Sequence, residues 1–565
     1  MGVRRAMEIV LAEANKDKRP IHTFGPLIHN KQVLELLVSK GITTIENIEK
    51  LEDGTLVIRA HGIPPQQRKF LKSSGLKIID ATCPRVARVQ AIIRYHTNKG
   101  YATVIAGDRD HPEVIGLMGY TNNCAHVINS VPEVADLPDT EKLLIVAQTT
   151  QDDQNYREIV KAILKRFPDA LVFDTICDAT HSRQEEVRSF SGQVNGVVVV
   201  GGFHSGNTRR LVQVSKAAGL PTFHVESEKE LDRERLSSME VIGVTAGAST
   251  PNWMIKNVVR EIEAIRSKKE IFLGRWIKHA FKFLLLSNAI VAFGAFSLAH
   301  GAAILAGRRP DFIHPSLAFL YIYAMHVVNR FLDKGASIYN DPEMANFYRK
   351  HKVFLTLTGL ASMIGAFVLS YYLGVSILIA IAGLSILGII YSIPIVPISR
   401  RHLWRYSKIK DIPGSKTLSI ALAWGAVITL LPFLESTQVD ISSTIISFLF
   451  VSPLVYARSA LFDIFQAQGD LIVGVETLPI ILGEKRTLLL LKWIILFCSL
   501  IITISPILGL VGPFSYLMLF CLLSLTLCLL TYEKRWLYPG TRLEALVEGN
   551  FFLAGLLGLI YQLLS

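Results

Sequence analysis

A chain of 565 residues, 50% of them hydrophobic, with mean hydropathy +0.37 and formal net charge +12, is too long for a single hydrophobic core. The positive charge does not imply nucleic acid, because much of the excess Lys and Arg lies in short loops between apolar runs, where it orients membrane proteins, and no nucleic-acid-binding motif appears. The six cysteines, Cys83, Cys124, Cys177, Cys498, Cys521 and Cys528, do not form the spacing of a secreted disulfide framework.

Residues 1–270 read as mixed, charged globular sequence, and from about Phe281 onward long apolar runs dominate. Met1–Asn15 reads as an amphipathic helix, so no signal peptide is expected at this end. Short apolar strands are then predicted at Leu56–Arg59, Lys77–Asp80, Ala102–Ala106, Leu143–Ala147, Gly196–Val200 and Val241–Thr245. Helical stretches follow most of them, among them Arg85–Lys99, Asn155–Phe167 and Arg209–Ala218. That alternation predicts parallel α/β layers. The strands end in small or polar residues, where open α/β sheets bind ligands.

Candidate chemistry collects at those strand ends. Cys83 and Cys177 sit in the turns Asp80-Ala81-Thr82-Cys83-Pro84 and Asp174-Thr175-Ile176-Cys177-Asp178. Such thiols suit metal or redox chemistry, and the plain alternative is a pair of reduced core cysteines. His29, His61 and His111 also follow α/β elements, with Glu113 two residues from His111, which suggests an anion pocket with a proton donor. Ser205, Asn207 and Ser249 open or precede helices after Gly-rich turns, where backbone N–H groups bind phosphate; simple helix capping is the alternative.

The ordered motifs His29-Asn30, Ala60-His61-Gly62, Asp80-Ala81-Thr82-Cys83-Pro84, His111-Pro112-Glu113-Val114, Gln148-Thr149-Thr150, Ile176-Cys177-Asp178-Ala179-Thr180, Ser205-Gly206-Asn207-Thr208-Arg209-Arg210-Leu211 and Thr245-Ala246-Gly247-Ala248-Ser249 resemble those of 4-hydroxy-3-methylbut-2-enyl diphosphate reductases over residues 1–267. The resemblance implies a three-lobed α/β domain around a [4Fe–4S] cluster, with a ferredoxin or flavodoxin as electron donor. By it, Cys83 and Cys177 are cluster ligands, and Glu113 delivers protons with the aid of Thr149. His29, His61, His111, Ser205, Asn207 and Ser249 would hold the diphosphate. Gly206 stands where many relatives have a second serine. The family's first cluster cysteine lies in a Gly-Phe-Cys turn that belongs just ahead of Met1, and the expectation is a reading frame that continues upstream.

After a charged junction, taken as a linker at 268–282, the residues 283–565 are expected to form an all-α polytopic membrane domain. About nine spans of roughly 20 residues are predicted, near 281–305, 312–332, 353–373, 376–397, 416–434, 441–462, 488–509, 514–531 and 548–564. Lys and Arg concentrate in the loops 333–352, 398–416, 462–487 and 532–547, and Arg308-Arg309 is the exception. The positive loops are expected to face the cytoplasm, which places the N-terminal domain on the cytoplasmic side of the inner membrane.

Ionisable residues near span ends mark functional sites. One cluster is Asn329-Arg330-Phe331-Leu332-Asp333; the other is Arg458 with Asp463, Gln466 and Asp470. Carboxylates on Mg²⁺, with the metal on diphosphate oxygens, are one way to bind such a group, and solvated loop charge is the alternative. Asn329-x-x-x-Asp333 and Asp463-x-x-x-x-x-Gly469-Asp470-x-x-x-Gly474-x-x-Thr477-Leu478-Pro479 resemble the motifs of UbiA-type prenyltransferases over 275–565. The resemblance implies Mg²⁺ on Asn329, Asp333, Asp463 and Asp470, and a prenyl diphosphate as substrate. Lys408 and Lys410 are weaker diphosphate candidates. Ser337, Arg330 and Gln466 stand where the family has aspartates, and Asp341 is a candidate to compensate.

Two enzymes in one chain is the leading expectation. The alternatives are a transferase with a non-catalytic diphosphate-binding domain, and a membrane-anchored reductase with an inactive transferase half.

Overall fold

The computed structural model describes residues 2–16, 20–28, 30–46, 53–265, 272–332, 339–392, 409, 412–435, 440–534, 536–537 and 539–564. It divides into two compact units, Met1–Glu270 and Ile271–Ser565.

The first unit holds three parallel sheets. Strands β1 (Ile21–Phe24), β2 (Ile42–Ile45), β3 (Thr55–Ile58) and β4 (Lys77–Asp80) form one in the order β2-β1-β3-β4. The second, in the order β6-β5-β7-β8, is built from β5 (Ala102–Ala106), β6 (Ala125–Ile128), β7 (Leu143–Ala147) and β8 (Leu171–Val172). The third, β10-β9-β11, contains β9 (Gly196–Val200), β10 (Thr222–Val225) and β11 (Ile242–Ala246). Every pairing is parallel.

The valine run of β9 shows why these strands are sheet centres. Val197 and Val199 pack into one apolar cluster with Val187, Leu211 and Val214, while Val198 and Val200 pack into another with Val225, Leu236 and Val258. Alternate side chains are buried on both faces, as a parallel sheet covered by helices requires. Each strand expected from the sequence is present within a residue or so, and β1, β2, β6, β8 and β10 were not foreseen. These are edge or short strands with weak apolar runs, such as Thr222–Val225, which take their pairing from a neighbour and not from their own pattern.

Helices start where strands end. The ones that matter to the site are α1 (Gly2–Lys16), α2 (Lys31–Ser39), α3 (Pro65–Ser73), α4 (Pro84–Thr97), α5 (Pro112–Met118), α6 (Asp153–Arg166), α7 (Asp178–Ser189), α8 (Gly206–Ala217), α9 (Arg233–Ser237) and α10 (Asn252–Ala264). Pro84 and Pro112 occupy first-turn positions, where the missing N–H costs nothing.

The second unit is helical throughout its described residues. Its helices are α11 (Phe272–Leu286), α12 (Ala289–Leu305), α13 (Ile313–Leu332), α14 (Pro342–Lys350), α15 (Lys352–Leu373), α16 (Val375–Ser392), α17 (Ser415–Gly425), α18 (Leu431–Glu435), α19 (Ile441–Val473), α20 (Leu478–Leu482), α21 (Glu484–Ile507), α22 (Phe514–Glu533) and α23 (Thr541–Leu564). A π-turn at Ala426–Leu430 joins α17 to α18. Among the described residues, 6 helices are long and apolar enough to cross a membrane, or up to 7 if a bent pair counts as one. That is fewer than the expected number, although the described residues of each expected span are largely helical. The expected first span, 281–305, is not continuous: the axis turns by 76° between Leu286 and Ala289. Residues 272–282, taken from the sequence as linker, belong to α11.

The 33-residue α19 is the most buried of the spanning helices. At 1.5 Å per residue it is about 50 Å long, against a hydrocarbon core of about 30 Å. It is thus longer than the apolar layer is thick, and its last turns carry Asp463 and Asp470.

Candidate functional site

In the first unit the expected residues converge at the carboxyl ends of the strands. Ala81 N and Cys83 N donate to the carbonyls of Ile58 and Ala60, so the turn after β4 is stitched to the turn after β3 that carries His61. Cys83 then stands immediately before α4, and Cys177 immediately before α7. Arg85 and Asp178, in the first turns of those two helices, form an ion pair that ties the helix starts together. Both thiols are partly exposed. Gly2, the first residue of α1, packs directly on Cys83: a Cβ there would lie 2.2 Å from its Sγ.

Glu113 sits in the first turn of α5 and is 2% exposed. Its Oε1 accepts the Thr149 backbone N–H at 2.7 Å, and its Oε2 accepts the Thr149 hydroxyl at 2.9 Å. Burial pushes the carboxyl pKa up, and the two bonds from Thr149 only partly offset it. Such a group keeps its proton to higher pH than an exposed glutamate. The Thr149 carbonyl in turn accepts the Cys177 N–H at 3.0 Å. One threonine thus holds both the buried acid and the loop of the second thiol.

His111 caps α5, its Nδ1 accepting the Glu113 N–H at 3.2 Å. Its ring meets His61 edge to face at 5.3 Å. Gly206 stands against the other side of His111, where a Cβ would come 3.1 Å from Nε2. The glycine in place of a serine therefore leaves room for the imidazole as well as removing a hydroxyl. Ser205 caps α8 and lies 3.4 Å, oxygen to oxygen, from Ser249 after β11. Asn207 is buried; its Oδ1 accepts from Thr180 at 3.5 Å, and its Nδ2 has no hydrogen-bond partner among the described residues. A buried amide donor left open in this way fits an anionic ligand. His29 lies outside the described residues.

The loops here have little slack. Gly201 has φ +147, and a Cβ on it would lie 2.6 Å and 2.7 Å from the hydroxyls of Thr250 and Thr208; a Cβ on Gly247 would lie 2.1 Å from Thr208 Oγ1. The sequence reading missed Gln148, whose Oε1 accepts the Asp108 N–H at 2.9 Å and whose Nε2 donates to Thr150 Oγ1 at 2.9 Å. Its signal was present in the Gln148-Thr149-Thr150 run. Thr180 was visible in the same way, next to Cys177.

The two thiols and their helix N-termini suit an iron–sulfur cluster as a partial donor set, since such clusters take cysteine thiolates. Among the described residues no group of three or more His, Cys, Asp or Glu side chains is placed to hold a metal ion. The described residues therefore do not complete a cluster site. Cys124 is exposed at the end of the α5–β6 turn and adds nothing to it.

In the second unit Asp463 and Asp470 are buried two turns apart on one face of α19. Asp463 Oδ2 accepts the Thr417 hydroxyl of α17 at 2.6 Å, and Asp470 Oδ1 accepts the Asn340 amide at 2.7 Å. Asn340 was not foreseen; nothing in a lone Asn-Asp pair 130 positions away marks it. Gly469 makes the contact feasible, because a Cβ there would lie 1.9 Å from Asn340 Oδ1. Asp341 does not join the carboxylates: it caps α14, accepting the Met344 N–H at 3.0 Å. One turn before Asp463, Arg458 is held by buried Glu548 of α23 through a bond from Nε at 3.0 Å. Asn329 lies in the last turns of α13. Asp333, Lys408 and Lys410 lie outside the described residues. Buried carboxylate oxygens with an amide beside them have the hard-donor chemistry that Mg²⁺ takes.

The LytB protein family model matches residues 1–263, and the VviA prenyltransferase model matches residues 279–563. The 4-hydroxy-3-methylbut-2-enyl diphosphate reductase of Opitutus terrae is 41% identical over 276 residues, covering 47% of this chain and 96% of the relative. The solved reductase from Plasmodium falciparum shares 31% identity over 46% of this chain and 83% of its own, with TM-score 0.45. A UbiA homolog from Aeropyrum pernix K1 shares 14% identity over 48% of this chain and 98% of its own, with TM-score 0.38. Through its first half the chain belongs to the 4-hydroxy-3-methylbut-2-enyl diphosphate reductase family, and through its second half to the VviA prenyltransferase family.

Proposed function

We propose that the first unit reductively dehydroxylates 4-hydroxy-3-methylbut-2-enyl diphosphate to the five-carbon diphosphates, and that the second transfers a prenyl group from a prenyl diphosphate with Mg²⁺. The observation that carries the first reading is the Glu113–Thr149 pair beside His111 and the Cys177 loop. Cys83 and Cys177 would be two of the ligands of a [4Fe–4S] cluster, which supplies electrons when bound. His61, His111, Ser205, Asn207 and Ser249, with His29, hold the diphosphate: imidazoles, hydroxyls, an open amide donor and the α8 N-terminus are all suited to phosphate oxygens. Glu113, which holds its proton to higher pH because it is buried, gives the proton with which the substrate hydroxyl leaves as water, and Thr149 fixes its carboxyl. A ferredoxin or flavodoxin is the electron donor in this reading.

The test is Glu113→Gln in the full chain, assayed anaerobically for five-carbon diphosphate formation. Loss of product at unchanged iron content supports the role, and wild-type turnover would overturn it.

In the second unit Asp463 and Asp470, with Asn329 and Asp333, would hold Mg²⁺ for the diphosphate, and Lys408 and Lys410 are further candidates to bind its oxygens. Asn340 and Thr417 orient the two carboxylates. The domain sits in the cytoplasmic membrane with the first unit on the cytoplasmic side, as loop charge favours. Prenyl transfer in isolated membranes by wild type and Asp470→Ala tests this; equal rates would remove the transferase claim and leave an anchor.

A second reading has the first unit binding diphosphate without reducing it. It is favoured by the lack, among the described residues, of a third metal-holding side chain. Anaerobic iron–sulfur reconstitution separates the two: a chain that takes up no iron while binding the diphosphate is the non-catalytic one.

A further inference from the structure

We propose that α11 lies in the plane of the membrane, with its apolar face seated at the boundary between lipid headgroups and acyl chains. The sequence invites a different view, in which 281–305 is one straight span. The structure breaks it. Ser287 is buried and its hydroxyl donates to the Leu284 carbonyl, while Asn288 takes a left-handed backbone with φ 62. The Asn288 amide donates to the Tyr348 hydroxyl at 2.7 Å. Asparagine tolerates that conformation better than most residues. The result is the 76° turn between α11 and α12. If α12 crosses the bilayer, α11 runs nearly parallel to its surface.

The residue pattern of α11 suits that position. At about 3.6 residues per turn, Trp276, Ile277, Ala280, Phe281, Phe283 and Leu284 share one broad arc, and His279 and Lys282 fall on the opposite one. Trp276 is 66% exposed and Ile277 58%, and Phe281 and Leu284 are exposed as well. So large an uncovered apolar face is costly in water. A tryptophan-bearing apolar face opposite basic residues is the composition of helices that lie in the interface. The helix is also anchored at its own level in the bundle. Phe283 packs against Phe347, His351 and Phe354 at ring distances of 5.3, 6.0 and 5.8 Å, and Lys282 pairs with Glu343. Through Phe283 its apolar arc continues into Phe354, which is itself exposed on the bundle. That continuity names the occupant as lipid.

The experiment uses the full chain reconstituted in phosphatidylcholine–phosphatidylglycerol vesicles brominated either just below the headgroups or deep in the acyl chains. Emission from Trp276 is obtained as the difference between wild type and Trp276→Phe. A second probe is Leu284→Trp in the Trp276→Phe background. For an in-plane helix both probes are quenched more by the shallow bromines, and to a similar depth. A helix that continues the span would place position 284 about 12 Å deeper than position 276. Deep quenching at 284 would overturn the proposal in favour of a span or re-entrant turn. Absence of quenching at both positions would overturn it in favour of a protein-covered or water-exposed helix.

Discussion

In the proposed reading the two units solve the same problem, holding polar groups around a diphosphate, by different means. In the first, the backbone does the positioning. Glu113 is fixed by the Thr149 N–H, Cys177 by the Thr149 carbonyl, and Cys83 by the Ala60 carbonyl. In the second, a single helix sets the spacing of Asp463 and Asp470, and side chains from α17 and the start of α14 steady them. Parallel strands leave their end loops with free backbone groups, which serve as fixed hooks. A spanning helix consumes its own backbone groups, so a bundle must build its site from side chains and close approaches.

That contrast can be broken experimentally. The largest expected effect is from Glu113→Gln, which removes a proton donor and should lower reductase turnover by roughly a hundred- to ten-thousand-fold, with prenyl transfer untouched. A parallel loss in transfer would show that the sites are coupled. Next is Asp470→Ala, which should sharply lower prenyl transfer and leave five-carbon diphosphate formation intact. Gly469→Ala comes third. Its Cβ must displace Asn340, and overpacking of this kind costs about 1–3 kcal/mol; the measurements are detergent-denaturation stability and the Mg²⁺ concentration for half-maximal transfer, which should rise.

The smallest effect is expected from Thr149→Val. The Thr149 hydroxyl stabilises the ionised Glu113 carboxyl, so its removal raises the Glu113 pKa further. The alkaline limb of the reductase pH profile should therefore move to higher pH, and a shift to lower pH would contradict the assignment. Stability carries the same sign. A carboxyl whose folded pKa is raised contributes its stability fully below its unfolded pKa and loses it as pH rises through the folded value. Glu113→Gln should accordingly flatten the pH dependence of stability over that range.

Most of the first site was legible because its residues occur in compact local runs at strand ends, such as His111-Pro112-Glu113 and Gln148-Thr149-Thr150. The runs identify the groups, but not that Thr149 joins Glu113 to Cys177, since that requires two neighbouring strands in register. In the second unit the seven-residue step from Asp463 to Asp470 was visible from helical periodicity. Asn340 was not, because its partner is chosen by the packing of a separate helix start against Gly469.

Hydropathy by itself determined that the chain has a globular and a membrane half, since burial of apolar side chains in water or lipid is a property of composition and length. Period-two and unbroken apolar runs determined the central strands for the same reason. Tertiary structure decided which polar groups meet, because hydrogen bonds depend on ångström-scale placement that no local pattern encodes. It also decided where an apolar run stops being one span: at Asn288, a left-handed residue and a single bond to Tyr348 turn α11 out of the path of α12.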